Sequence, residues 1–83
     1  MSLPKLGLVN ITFDMTTMAH VMRLSLRHNS LGLIPNTIAS MTSLVELHLQ
    51  YNRLTQLPNI MIGLTKLRIL DLSHNEMMRL PVL

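Results

Sequence analysis

The sequence predicts an α/β solenoid, with a short parallel sheet on one face and short helical or irregular return segments on the other. Three observations carry this. The chain aligns with itself without a gap when it is shifted by 23 residues, the mark of a repeat architecture. Each unit holds a stretch such as "VELHL" in which apolar and polar residues alternate, the period of a half-buried strand. Around a proline, apolar residues recur at spacings of four and three, as at Leu57, Met61 and Leu64, which fits a short helical turn facing the same interior.

The units are "VMRLSLRHNSLGLIPNTIASMTS" from Val21, "LVELHLQYNRLTQLPNIMIGLTK" from Leu44 and "LRILDLSHNEMMRLPVL" from Leu67. Four columns are identical in all three: Leu24/Leu47/Leu70, Leu26/Leu49/Leu72, Asn29/Asn52/Asn75 and Pro35/Pro58/Pro81. Val21/Leu44/Leu67, Leu31/Leu54/Met77 and Ile34/Leu57/Leu80 stay apolar, and Ile38/Met61 and Met41/Leu64 extend the pattern through the two complete units.

Within one unit, Leu47 and Leu49 point inward from the strand while Glu46, His48 and Gln50 point away. Asn52 ends the strand among inward leucines, so its amide is expected to be buried and to need hydrogen-bond partners. Backbone groups of its own loop and of the adjacent coil are the natural ones, and Asn29, Asn52 and Asn75 would then form a ladder. Pro58 restricts its own φ and holds Leu57 extended before the return. No unit buries its own apolar edge, so units must stack, with strands about 4.8 Å apart.

This pattern resembles the leucine-rich repeat, L-x-x-L-x-L-x-x-N-x-L, over Val21 to Pro81. The continuation L-x-x-L-P-x-x-I-x-x-L is similar to the intracellular subclass found in Scribble, Erbin and plant Ras-group-related proteins. The resemblance implies a horseshoe solenoid that binds a protein partner through its concave strand face, in a scaffold or regulatory role in intracellular signalling. Small GTPases, phosphatases and polarity-complex proteins are the partner classes it implies, and cytoplasm the compartment. The alternative is that these are purely structural repeats of a larger solenoid whose binding site lies elsewhere.

Both ends depart from the pattern. Residues 1–20 align Leu3, Leu8, Ile11, Met15 and Met18 with apolar columns, but Leu6 falls in the asparagine column and Thr12 in the proline column. This segment reads as a degenerate first coil or cap, followed by repeats at 21–43, 44–66 and a truncated 67–83. A missing polar cap after Leu83 points to a fragment or short isoform, or to self-association through uncapped ends.

Composition narrows the function classes. The chain has 83 residues, a formal charge of +3, no cysteine, and only Tyr51 and Phe13 as aromatic residues. Leucine, isoleucine and methionine must therefore build the core, without disulfides or thiolate metal sites. The absence of cysteine fits a reducing compartment. No run of Lys/Arg offers a nucleic-acid footprint. No segment reaches the roughly 18 uninterrupted apolar residues of a membrane span, and no signal peptide is visible. Asn10-Ile11-Thr12 is a formal glycosylation acceptor.

Candidate functional residues lie between the core leucines. The outward columns are Met22/Val45/Arg68, Arg23/Glu46/Ile69, Ser25/His48/Asp71, Arg27/Gln50/Ser73 and His28/Tyr51/His74. From them the candidate partner-binding residues are Arg23, Arg27, His28, Glu46, His48, Gln50, Tyr51, Arg68, Asp71 and His74. Tyr51 is the candidate hot spot, since Tyr and Arg are enriched at such sites, and the arginines suit carboxylates. Arg23 beside Glu46, and His48 beside Asp71, are expected cross-strand ion pairs. Ser25, His48 and Asp71 occupy one column in the order of a hydrolytic triad, but an open sheet face supplies neither an oxyanion hole nor a water-excluding pocket, and no G-x-S-x-G elbow surrounds Ser25. The reading is therefore non-enzymatic, without a cofactor. His20, His28, His48 and His74 lack metal-ligand spacing. The methionines, including Met15, Met18, Met41, Met61 and Met77, fall in apolar columns as core filler.

Overall fold

The computed structural model describes residues 1–77, with the side chain of Ile60 excepted. Three strands, β1 (Arg23–Ser25), β2 (Glu46–His48) and β3 (Ile69–Asp71), form a parallel sheet in the order β1-β2-β3. Register follows the repeat: Leu24 lies opposite Leu47, and Leu47 opposite Leu70. The expected repeat solenoid is the architecture observed. Leu80 and Pro81, which complete two of the sequence columns, lie outside the described residues.

Each return segment is a 3-10 turn: Met15–Thr17, Asn36–Ser40 and Asn59–Gly63. Pro35 and Pro58 sit extended at the N-cap, with φ of −69° and −64°. The backbone then steps in threes. Ile38 N–H donates to Pro35, Met41 to Ile38 and Leu44 to Met41; Met61, Leu64 and Leu67 repeat the series from Pro58. Side chains three apart eclipse on a 3-10 helix, so Ile38, Met41 and Leu44 all face the core. An α-helix, with 3.6 residues per turn, would rotate this stripe away from the core.

The core is the set of inward columns. Leu24, Leu26, Leu31, Ile38, Met41, Leu44, Leu47, Leu49 and Leu54 are fully shielded from water, with Met15, Ile34, Leu57, Met61 and Leu64 nearly so. Leu67, Leu70, Leu72 and Met77 of the third coil pack against this cluster only in part.

Residues 1–20 build a coil with fewer regular features. Ser2 bridges Ser25 in parallel, and Leu3 N–H donates to Ser25 at 2.8 Å. Asp14 caps the first turn by accepting the Thr16 N–H. Leu6, standing where later coils have asparagine, is exposed, and its N–H donates to Asn29 Oδ1 at 3.0 Å. Leu6 thus gives its backbone N–H to the asparagine of the next coil, and its own side chain has no amide with which to bond loop groups.

Candidate functional site

The strand face is fixed from beneath by the asparagine ladder. Asn52 Nδ2 donates to the carbonyls of Leu26 and Leu49, both at 3.0 Å, and its Oδ1 accepts the Leu31 N–H at 3.1 Å. Asn75 does the same one coil later, donating to Leu49 and Leu72 and accepting from Leu54. Asn29 donates to Leu3 and Leu26 and accepts from Leu6 and Leu8. Each amide satisfies loop groups that have no strand partner, so it closes its own loop and ties it to the preceding coil.

The residue before each asparagine has an unusual backbone. His28, Tyr51 and His74 have φ of 58°, 60° and 57°, and Lys5 matches them at 57°. Left-handed backbone is sparsely populated by bulky residues and persists where surrounding contacts over-determine it. Here His28 and Tyr51 N–H donate to Gln50 and Ser73 of the next coil, and the following asparagine pins the loop. The consequence is a stack of rings. Tyr51 lies 4.4 Å from His28 and 4.2 Å from His74 between centroids, with interplanar angles of 9° and 5°. Both faces of Tyr51 are covered, yet the residue is 45% exposed, so its edge meets solvent. The signal for this stack is the shared column, because laterally aligned rings on neighbouring coils sit at about the strand spacing.

The charged residues sort into local pairs. Arg23 Nε approaches Glu46 Oε2 at 2.6 Å, from a side chain 77% exposed. His48 corrects the expectation from lateral register: its Nε2 lies 3.2 Å from Glu46 Oε1, two residues back on the same strand. Asp71 has other partners, accepting Ser73 Oγ at 2.7 Å and Ser73 N–H at 3.0 Å. These bonds hold the Asp71 carboxyl below its ordinary range, with smaller help from the positive character of His48 and His74.

Ser25 corrects a second expectation. It keeps register with His48 but is buried, and its Oγ has no hydrogen-bond partner. The chain at Met1–Leu3 pairs along its outer side, which covers so small a side chain. Ser25, His48 and Asp71 are therefore aligned in register but chemically separate: an unpartnered hydroxyl, a histidine on Glu46, and a carboxylate on Ser73. The arrangement has no relay from base to nucleophile. Gln50 is half-buried with its Oε1 unpaired, while Arg27, Arg68, His28 and His74 are exposed. Among the described residues no three His, Cys, Asp or Glu side chains converge as metal ligands, and no helix is long and apolar enough to cross a membrane.

A groove of about 420 Å³ lies away from the sheet, at the entry to the return segments. Its lining also follows columns: Asn10/Leu33/Gln56, Ile11/Ile34/Leu57 and Pro35/Pro58. Sequence reasoning missed Asn10, Leu33 and Gln56 because their column shares no residue type.

Stacked coils with a parallel sheet, an asparagine ladder and an open strand face define a repeat solenoid of the kind that presents a binding surface. The profile of the Leucine rich repeat family matches residues 19–77, and the chain belongs to that family. A solved leucine-rich-repeat protein of Leptospira interrogans is similar, at 30% identity and a TM-score of 0.92 over 96% of this chain. The chain spans 20% of that protein's length. A comparison with curated proteins found no match. Members of the family generally act as protein-interaction modules without catalytic activity.

Proposed function

We propose that this chain binds a protein partner through its strand face, as a scaffold or regulatory segment of an intracellular signalling protein. The supporting observation is the exposed, rigid Tyr51 held between His28 and His74. An aromatic side chain already immobilised loses little conformational freedom on binding, and Arg27 and Arg68 stand exposed on the same face. The L-P-x-x-I-x-x-L spacing favours the Scribble and Erbin subclass, a cytoplasmic setting, and a small GTPase, phosphatase or polarity-complex protein as partner.

The test is a binding titration against representatives of those three partner classes. The variant set carries R23E, R27E and R68E with Y51A, and circular dichroism checks that the fold is kept. At least tenfold weaker capture by the folded variant is the expected result. Unchanged affinity would overturn the face assignment. It would favour the second reading, purely structural repeats of a longer solenoid, which the chain's 20% share of the Leptospira protein supports.

A further inference from the structure

We propose that the His28–Tyr51–His74 stack is a docking strip for an acidic segment of the partner, and that it grips this segment more tightly as pH falls from 7.5 to 5.5. The inference rests on the strand-face reading above and adds the partner's chemistry and a control on it.

The geometry supplies the strip. Three near-parallel rings, each 4.2–4.4 Å from the next, run across three coils with exposed residues throughout. Because Tyr51 is covered on both faces yet exposed, what a partner meets there is its edge, beside the exposed His28 and His74. Neutral imidazole offers one donor and one acceptor, whereas imidazolium offers two donors and a charge. A protonated ring lying on tyrosine is also favoured by the ring quadrupole. Histidine is the side-chain type whose charge changes between about pH 5 and 8, a range in which aspartate carboxylates stay ionised.

The surrounding charges favour an anionic ligand. On the candidate face Arg23, Arg27 and Arg68 stand against Glu46 and Asp71, and both carboxylates already have partners. Lys5 occupies the same turn position one coil earlier, Arg27 directly precedes His28, and Arg53 follows Asn52. The opposing groups near the strip are Asp71, which senses His74, and Glu76 beyond Asn75. His48 also lies on this face, with its Nε2 against Glu46 Oε1. At neutral pH the face carries a small net positive charge, and protonation of His28 and His74 adds two charges along a line about 9 Å long, set by the two ring spacings.

The experiment uses the full chain and a fluorescent (Asp-Gly)6 peptide, with polarisation read at pH 7.5 and 5.5. A glycine-serine peptide and a dT12 oligonucleotide serve as comparison probes. The variant is H28N/H74N, since asparagine tolerates left-handed backbone, with H48Q as a second variant. The wild type and H48Q are expected to bind the acidic peptide about tenfold more tightly at pH 5.5, an effect weakened by 0.5 M NaCl. In H28N/H74N the pH dependence should largely vanish. Equal binding at both pH values, lost in R27E/R68E, would overturn the strip while leaving the strand-face reading intact. No peptide binding at either pH would overturn the strip and leave the strand-face reading to its own titration. Tighter, histidine-dependent capture of dT12 than of the peptide would overturn the acidic-peptide assignment. Circular dichroism at both pH values confirms that each variant is folded.

Discussion

Asn52 Oδ1 accepts the Leu31 backbone N–H at 3.1 Å across 21 residues of chain, in a site shielded from water. One side chain thereby closes a loop and joins two coils. Replacing Asn52 with alanine strands the Leu31 amide and loses the bonds to the Leu26, Leu49 and Gln50 carbonyls. Buried groups left unpaired cost about 1–3 kcal/mol. Urea unfolding of Asn52→Ala should show a loss in this range, and Asn75→Ala, whose bonds are only part-buried, a smaller one. Equal effects would show that burial does not set the cost.

Core truncation should grade in the same direction. Leu47 is fully buried between Leu24 and Leu70, whereas Leu70 is only partly covered. Leu47→Ala is expected to cost about 2–5 kcal/mol through lost transfer energy and a cavity. Leu70→Ala should cost less, because its site already borders solvent. Thermal and urea midpoints of both variants check the order.

The Arg23–Glu46 pair is short at 2.6 Å but lies on the surface. A double-mutant cycle with R23A and E46A should give a coupling of a few tenths to about 1 kcal/mol, shrinking at high salt. Coupling above this range at 0.5 M NaCl would mean that Glu46 is held by more than screened attraction. His48 also contacts Glu46, so the cycle is best repeated in an H48Q background.

Acid should weaken the fold through two carboxylates. Asp71 is lowered from its ordinary value of 3.8 by hydrogen bonds from the Ser73 hydroxyl and then its N–H. Asp14 is lowered from 3.8 by the corresponding bonds from Thr16. A folded-state pKa below the unfolded one gives stability that is present above pH 4 and is lost as pH falls through the folded value. Asp71→Asn and Asp14→Asn should therefore lower the urea midpoint at pH 6 and flatten its fall between pH 5 and pH 2.5, so that variants and wild type converge in acid. A fall as steep as wild type would remove these carboxylates from the explanation.

The fold was legible because its determinant is a column rule. A leucine placed every 23 residues must meet its equivalents, and Leu24, Leu47 and Leu70 do so in the sheet. The ion pairs and the ring stack depended on finer geometry. His48 has two acidic residues within reach by register, but Ser73 occupies Asp71, leaving Glu46 on the same strand. Ser25 looked outward by alternation, yet pairing of the Met1–Leu3 backbone buries it. The rings of His28, Tyr51 and His74 meet face to face only because their backbones adopt positive φ, which residue identity alone does not announce. The 3-10 returns were hidden for a similar reason: spacings of four and three suit either kind of helix over so short a span.

The ladder of asparagines also quantises the length of this molecule. Leu26 O receives amides from Asn29 and Asn52, and Leu49 O from Asn52 and Asn75. Every interior loop thus sees the same neighbour at the same offset. Adding or removing a whole coil preserves each of these offsets, while a gain or loss of one residue within a coil shifts all that follow out of phase. Such a chain can change size in steps of one coil, with its spacing rule intact, and has no comparable route through smaller steps.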